Sequence, residues 1–508
     1  MGYTKINGPE SFQGADKVYV DGPSTAFGEL LVANLFPLAQ GDFIRGINNQ
    51  MYVSSSFAGA SISAVSGNCE LTSGTNASGS ATVQLRRGLK YRAGQGSLMK
   101  ATAVFDTPSA GNAQFVGAGS AECGYFIGYF AGNFGILHSI TGQREIRKLT
   151  VTTGAGTGDV TVTLNGNAVV VPVTGASDTS QTAYQLSLGD YSQVGDGGWL
   201  ADAIGSDVYF LSARSAAGLD GTYSVAGASI VGTFAQAKAG EAQTNNFITS
   251  GSFNLDRLDG LGPSGMTLDP QKGNVYQISY QFLGYGNAMF AVEDPETGKM
   301  TPMHMIKNAN SRTTPVLKDP NVSVLATSAN IGGTDSKVLK TASMAAFNEG
   351  TVSILDPRFA LSSDFSGINE TGFVPLAILK SARVLDNQSN FGEFDLTRLN
   401  ISNLSTNNKS LFVGLFLNAD ISGDVNYEYV DEQNSVVAYS DLNPDTDTIV
   451  DVANLRPFYS VAVPPENAFS VNLEELRFVF GVGSNVVIAI RSTGIVTGAV
   501  SINWVEQQ

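Results

Sequence analysis

The chain has 508 residues, 15% of them charged, and a formal charge of −16. That length implies several units, each able to bury a core of its own, and the scattered Lys and Arg exclude a nucleic-acid partner, because a phosphate backbone is held by clustered cations. An apolar content of 43% excludes a disordered chain, and 57 glycines among abundant Ala, Ser, Thr, Val and Asn indicate short strands joined by tight turns.

Residues 1–50 hold one apolar run, Phe27 to Phe36, too short to build a core alone. Two readings stand side by side: a docking or oligomerisation element, or a strand added to the chain's own sandwich. No stretch approaches the length of an apolar transmembrane helix, and Met1-Gly2-Tyr3-Thr4-Lys5-Ile6-Asn7 lacks the apolar core of a signal peptide. The expectation is a soluble protein made in the cytoplasm, with no membrane insertion.

Residues 51–151 read as short strands: Tyr52 to Phe57, Ala81 to Arg87, Gly96 to Phe105, Ala113 to Ala118 and Arg144 to Val151. Among them, Gly124 to His138 predicts a β-hairpin. Tyr125 to Phe130 and Phe134 to His138 supply two apolar strands, and Ala131-Gly132-Asn133 supplies the turn. The basic run from Arg86 to Arg92 reads as an edge strand protected by its charge. Cys69 and Cys123 are too few for a disulfide framework and read as buried thiols.

The texture changes over residues 152–246. A hairpin turning at Asn165-Gly166-Asn167 precedes a helix start with Ser177 or Asp178 at the cap and Gln181 at the reciprocal position. Strand-like runs from Asp207 to Ala213 and Gly221 to Thr233 come after it. This is the pattern of a small α+β domain inserted into the first sandwich, because strands of the earlier character resume in residues 247–350, notably from Gly273 to Asp294. Residues 351–508 predict a second sandwich. Its last strand alternates cleanly, with Val500, Ile502 and Trp504 on one face. The predicted fold class is therefore all-β: a jelly-roll or lectin-like β-sandwich carrying an inserted small α+β domain, followed by a second β-sandwich.

Little in the chain carries chemistry. The two histidines, His138 and His304, match no zinc spacing, and no Gly-x-Ser-x-Gly elbow lies between strand and helix. Asp441 to Thr448 alternates oxygen donors but lacks the glycine and the bidentate glutamate of a calcium loop, and reads as a solvated turn. Asn-x-Ser/Thr sequons such as Asn76-Ala77-Ser78 read as a by-product of composition. The carboxylate pairs Glu293/Asp294 and Asp256/Asp259 fall in predicted turns rather than facing one another as in a glycosidase. No catalytic residue, no metal site and no cofactor is expected. Tyr125, Tyr129, Tyr280, Tyr285 and Asp294 are the candidate carbohydrate-binding residues, since sugar faces stack on aromatic rings while carboxylates and amides fix hydroxyls. The competing role for each tyrosine is core filling.

The run from Gln84 to Gly96, then Glu122 to Tyr129 and Phe134 to His138, resembles virion structural proteins of tailed bacteriophages and large aquatic DNA viruses. So do Gln281 to Gly286, Glu293 to Lys299 and the ending Ser501 to Glu506. The resemblance spans most of the chain and implies a fibre, spike or decoration role in the virion, without catalytic residues. The central unit also looks like a concanavalin-type lectin sandwich. The resemblance thus implies a non-enzymatic virion protein, displayed on head, vertex or tail, with other virion proteins as partners. It would form a homo-oligomer, a trimer being favoured, and bind host-surface glycan through avidity. The alternatives are a capsid-stabilising decoration without host ligand and a polysaccharide depolymerase using Glu293 or Asp294.

Overall fold

The computed structural model describes residues 34–350, 356–442, 449–451 and 456–507, apart from Ala93, Asp196, Asp424 and Arg477. Most of the Phe27–Phe36 run and of the acidic Asp441–Thr448 turn lies outside the described residues. The described end of the first run is an edge strand: Leu35–Asp42 pairs antiparallel with Ser343–Glu349, and Phe43 beyond it stacks on Tyr52 with ring centroids 4.6 Å apart.

Among the described residues the fold is almost wholly β, and Thr179–Ser187 is the one α-helix. In the first sandwich a six-stranded sheet, in the order Leu35–Asp42, Ser343–Glu349, Ser97–Ala103, Asn274–Tyr280, Ala288–Glu293 and Met300–Ile306, faces part of a ten-stranded sheet. Three of those ten strands, Trp199–Ile204, Asp207–Ser215 and Val231–Lys238, belong to the insert. The other seven run Glu241–Thr249, Asn133–Thr153, Gly124–Phe130, Asn112–Gly119, Ser323–Asn330, Ser80–Leu85 and Tyr52–Phe57. Between the sheets lies a core of Tyr125, Ile127, Ile136, Tyr276, Ile278, Phe290 and their neighbours, with Cys69 among them as a free buried thiol. The predicted hairpin forms as Gly124–Phe130 and Asn133–Thr153, with Ala131 and Gly132 at positive φ in its turn.

One strand serves two units. Asn133–Thr153 pairs with the first sandwich as far as Gln143, and from Arg144 onward with strands of the insert. Arg144 to Val151, expected to belong to the first sandwich, therefore pairs inside the insert, because one unbroken strand carries the sheet from the first unit into the second without a linker. The helix begins as its sequence dictates: Asp178 Oδ1 accepts from the Gln181 N–H at 2.6 Å, and Gln181 Oε1 accepts from the Ser177 N–H.

The C-terminal unit has eight principal strands in chain order: Arg358–Ile368, Val374–Ser381, Glu393–Asn403, Leu411–Leu417, Tyr459–Val463, Asn467–Asn472, Asn485–Ser492 and Val496–Gln507. The first, eighth, third and sixth form one sheet, and the second, seventh, fourth and fifth the other. This nested antiparallel order is that of a jelly roll. Val500, Ile502 and Trp504 point into its core, as their alternation requires.

The insert closes one outer face of the jelly roll. Ile378, Val487 and Phe416 lie side by side on that face and share a core with Tyr184, Trp199 and Ala203 of the insert. Tyr184 Oη donates to the Ile421 carbonyl, and Lys380 Nζ meets Asp202 at 2.6 Å over the Tyr427 ring. The basic run is likewise a junction and not an edge strand. Lys90 is buried against Glu393 of the jelly roll at 3.4 Å, and the Gly88 N–H donates to the same carboxylate. Its charges find partners inside the protein instead of guarding an edge.

Candidate functional site

The sequence-selected residues do not form one site. Tyr125, Tyr129 and Tyr280 lie in the first sandwich core, where no sugar ring reaches them. Tyr125 stacks on His138 at 4.7 Å and leans on Tyr280 at 5.4 Å; burial pushes both hydroxyls well above the usual phenol range. Tyr285 is exposed on the Gln281–Asn287 loop, its hydroxyl near the Thr313 carbonyl. Asp294 is exposed at the opposite end of Ala288–Glu293, about 20 Å away at the rise of a strand. Its oxygens shape a turn by accepting from the Glu296 N–H and the Thr297 hydroxyl, contacts that hold the carboxyl below its ordinary range. Asp256 and Asp259 hold loops in the same way, through the N–H groups of Leu258 and Ser264 and of Leu261.

The accessible aromatic surface sits one residue out of step with the chosen tyrosines. Successive side chains of a strand point to opposite faces, so where Tyr125, Ile127 and Tyr129 point inward, Phe126 and Phe130 point outward. Strand register extends this into rows across as many as six of the seven strands. One row runs Gln84, Leu325, Gly117, Phe126, Leu137 and Phe247. The next runs Thr82, Thr327, Phe115, Gly128, Gly135 and Thr249, and a third holds Ser80, Ala329, Ala113, Phe130 and Asn133.

Phe115, Phe126, Phe130 and Phe247 form a chain of rings, with centroids 6.1 Å apart between Phe115 and Phe126, 6.4 Å between Phe115 and Phe130, and 5.5 Å between Phe130 and Phe247. Glycine lets the rings lie down on the sheet. A Cβ on Gly119 would stand 2.1 Å from Phe126 Cζ, and one on Gly135 would stand 2.8 Å from Phe247 Cζ. Phe115 and Phe126 are nearly closed off, at 5% and 7% exposure, whereas Phe130 and Phe247 are half-buried. Exposed Asn133, Asn245 and Thr249 flank that open pair.

The insert reaches over this face. Ser215 Oγ donates to the Ala121 carbonyl at one end, while Arg214 bonds Ser78 and Ser80 and lies over the Phe57 ring at the other. Gln193 pins the outermost strand through Ser56 and Ala58. Together these contacts frame a phenylalanine floor, overhung on one side and open at Phe130 and Phe247. Among the described residues no group of three or more His, Cys, Asp or Glu is placed to hold a metal.

Sheet order and register define a two-sandwich protein with an outward aromatic face on the first sandwich and a jelly roll behind it. No protein-family model matches the sequence, and no curated protein matches it. Among solved structures, the carbohydrate recognition domain of Emp46p in its metal-free form aligns with 62% of this chain and 97% of its own, at 9% identity and a TM-score of 0.24. Lectin UEA-II of Ulex europaeus, complexed with galactose, aligns over 61% of this chain and 99% of its own, at 8% identity and a TM-score of 0.23. An archaeal virus protein with a triple jelly roll fold and turret assembly aligns over 96% and 98%, at 9% identity and a TM-score of 0.14. At these scores the likeness carries no argument about ligands.

Proposed function

We propose that this chain is a non-enzymatic structural protein of a virus particle that holds a host-surface glycan on the outward face of its first sandwich. The observation that carries the reading is the half-buried pair Phe130 and Phe247, 5.5 Å apart and rimmed by exposed amide and hydroxyl groups. Ring faces take the C–H faces of a pyranose, and Asn133, Asn245 and Thr249 take its hydroxyls. Each contact is weak, so repeated copies on a particle, as in a trimer, supply the strength by avidity. In support of a non-enzymatic role, the Asp256, Asp259 and Asp294 carboxylates are engaged in holding turns.

The test is retention of the full chain on immobilised host-envelope polysaccharide. The natural protein is expected to be retarded and to release no soluble sugar, and the Phe130→Ala/Phe247→Ala variant to elute with the void while still unfolding cooperatively, its thermal midpoint lowered by about ten degrees at most. Equal retention of both proteins would sink the site. Failure of an antibody against the chain to label intact particles would rule out the virion placement.

A further inference from the structure

The two sandwiches meet at a cleft of about 240 Å³, remote in the chain from the phenylalanine floor. One wall carries Asp319 and Asn321 of the first sandwich; the other carries Asp386, Gln388, Phe391 and Gln433 of the jelly roll. We infer that this cleft is a second binding site and that it takes a neutral saccharide. The inference goes beyond the reading of the aromatic face, because it names a different place and restricts the chemistry.

The walls are held before any ligand arrives. Asn321 Oδ1 accepts from the Tyr91 N–H, and Asp319 Oδ1 accepts from the Asn321 N–H. Opposite them, Val384–Leu385 and Gln388–Ser389 form a tight hairpin whose turn residues, Asp386 and Asn387, both have positive φ. Ser389 Oγ donates to Glu122, which in turn pairs with Lys318 at 2.9 Å, and the Phe391 carbonyl accepts from Lys90 Nζ. Both sides are thereby clamped to one frame, and a ligand between them pays little ordering entropy.

The lining selects the ligand class. Among the described residues the Gln388 and Gln433 amides and the Asp386 carboxylate have no side-chain partner in the protein, so they are available to hydroxyl groups. Phe391, half-buried beside Leu385 and Val436, gives the apolar patch that a sugar's C–H face requires. Two carboxylates and no Lys or Arg line the cleft, which disfavours phosphate, sialic acid and other anions. The volume is on the scale of a single sugar ring rather than a folded peptide.

Saturation-transfer NMR on the full chain tests this, with methyl α-D-mannoside, methyl β-D-galactoside and methyl α-sialoside as probes. At least one neutral glycoside is expected to give a signal that survives Phe130→Ala/Phe247→Ala and falls at least five-fold in Gln388→Ala/Gln433→Ala. Both glutamines are exposed, so that variant folds, which its unchanged thermal midpoint verifies. A neutral signal lost only in the phenylalanine variant assigns binding to the outer face and overturns the cleft. No neutral signal, or an equal signal from the sialoside, overturns it as well. A cleft signal without retention of the chain on polysaccharide would leave the cleft standing and the outer-face reading fallen.

Discussion

Two sheets of this molecule turn an apolar face away from their own sandwich, and they meet different fates. On the jelly roll, Ile378, Val487 and Phe416 are sealed beneath the insert and joined to its core. On the first sandwich, Phe115, Phe126, Leu137 and Leu325 form a cluster of their own, and the rings at its margin, Phe130 and Phe247, are only half-buried. The same insert contacts both faces, with its core against one and mainly with Arg214, Ser215 and Gln193 against the other. An outward apolar face is structural where a neighbour completes its core, and available for recognition where a neighbour merely frames it.

The contrast is broken most severely at the sealed face. Phe416→Ala is expected to cost about 4 kcal/mol, the sum of lost transfer energy and a cavity that packed neighbours fill poorly, and calorimetry should show the insert and jelly roll losing stability together. Asp202→Ala comes next. It leaves Lys380 Nζ buried with only the Ala203 carbonyl and the Tyr427 ring, at a cost of about 3 kcal/mol in denaturant melts. Replacing the pair together, Asp202→Leu with Lys380→Met, is expected to recover most of that loss.

Acid separates the two sandwiches, because both histidines lie in the first. Burial, aided by Arg312, depresses His138 from 6.5 to about 4, against the opposing bond from Nε2–H to the Val316 carbonyl at 2.7 Å. Above pH 6.5 the ring is neutral folded or unfolded. Between there and pH 4 the unfolded chain takes up a proton that the folded chain refuses, so stability falls with falling pH by roughly 3 kcal/mol. Burial also lowers His304 and adds in the same direction. Unfolding followed from pH 7 to 4 should show the first sandwich weakening first, and His138→Gln should flatten its profile. The smallest effect belongs to the open face: Phe130→Ala is expected to cost about 1–2 kcal/mol, since part of the ring is already in water.

Much of the fold was legible because its signals are local. Ala131-Gly132 marks a hairpin turn, Asp178 with Gln181 marks a helix start, and Val500, Ile502 and Trp504 mark a buried strand face. The site was not legible, because alternation reveals that two faces exist without saying which one meets the other sheet. In Tyr125-Phe126-Ile127-Gly128-Tyr129-Phe130 both parities are aromatic, and the tyrosines went inside. A usable signal lay in Phe115-Val116-Gly117-Ala118-Gly119, where glycine alternates behind a phenylalanine and makes room for rings to lie flat. The role of Arg86 to Arg92 depended on Glu393, 305 residues beyond Gly88, a pairing that no local pattern announces.

The strand Asn133–Thr153 has a mechanical meaning. It is stitched along its first half to the first sandwich and along its second half to the insert, with no loop at the crossing. Tension applied between those units runs along the strand and shears many hydrogen bonds at once, a far stiffer geometry than peeling them singly. Force drawn between the first sandwich and the insert would therefore part weaker contacts elsewhere in the chain before it parted that splice.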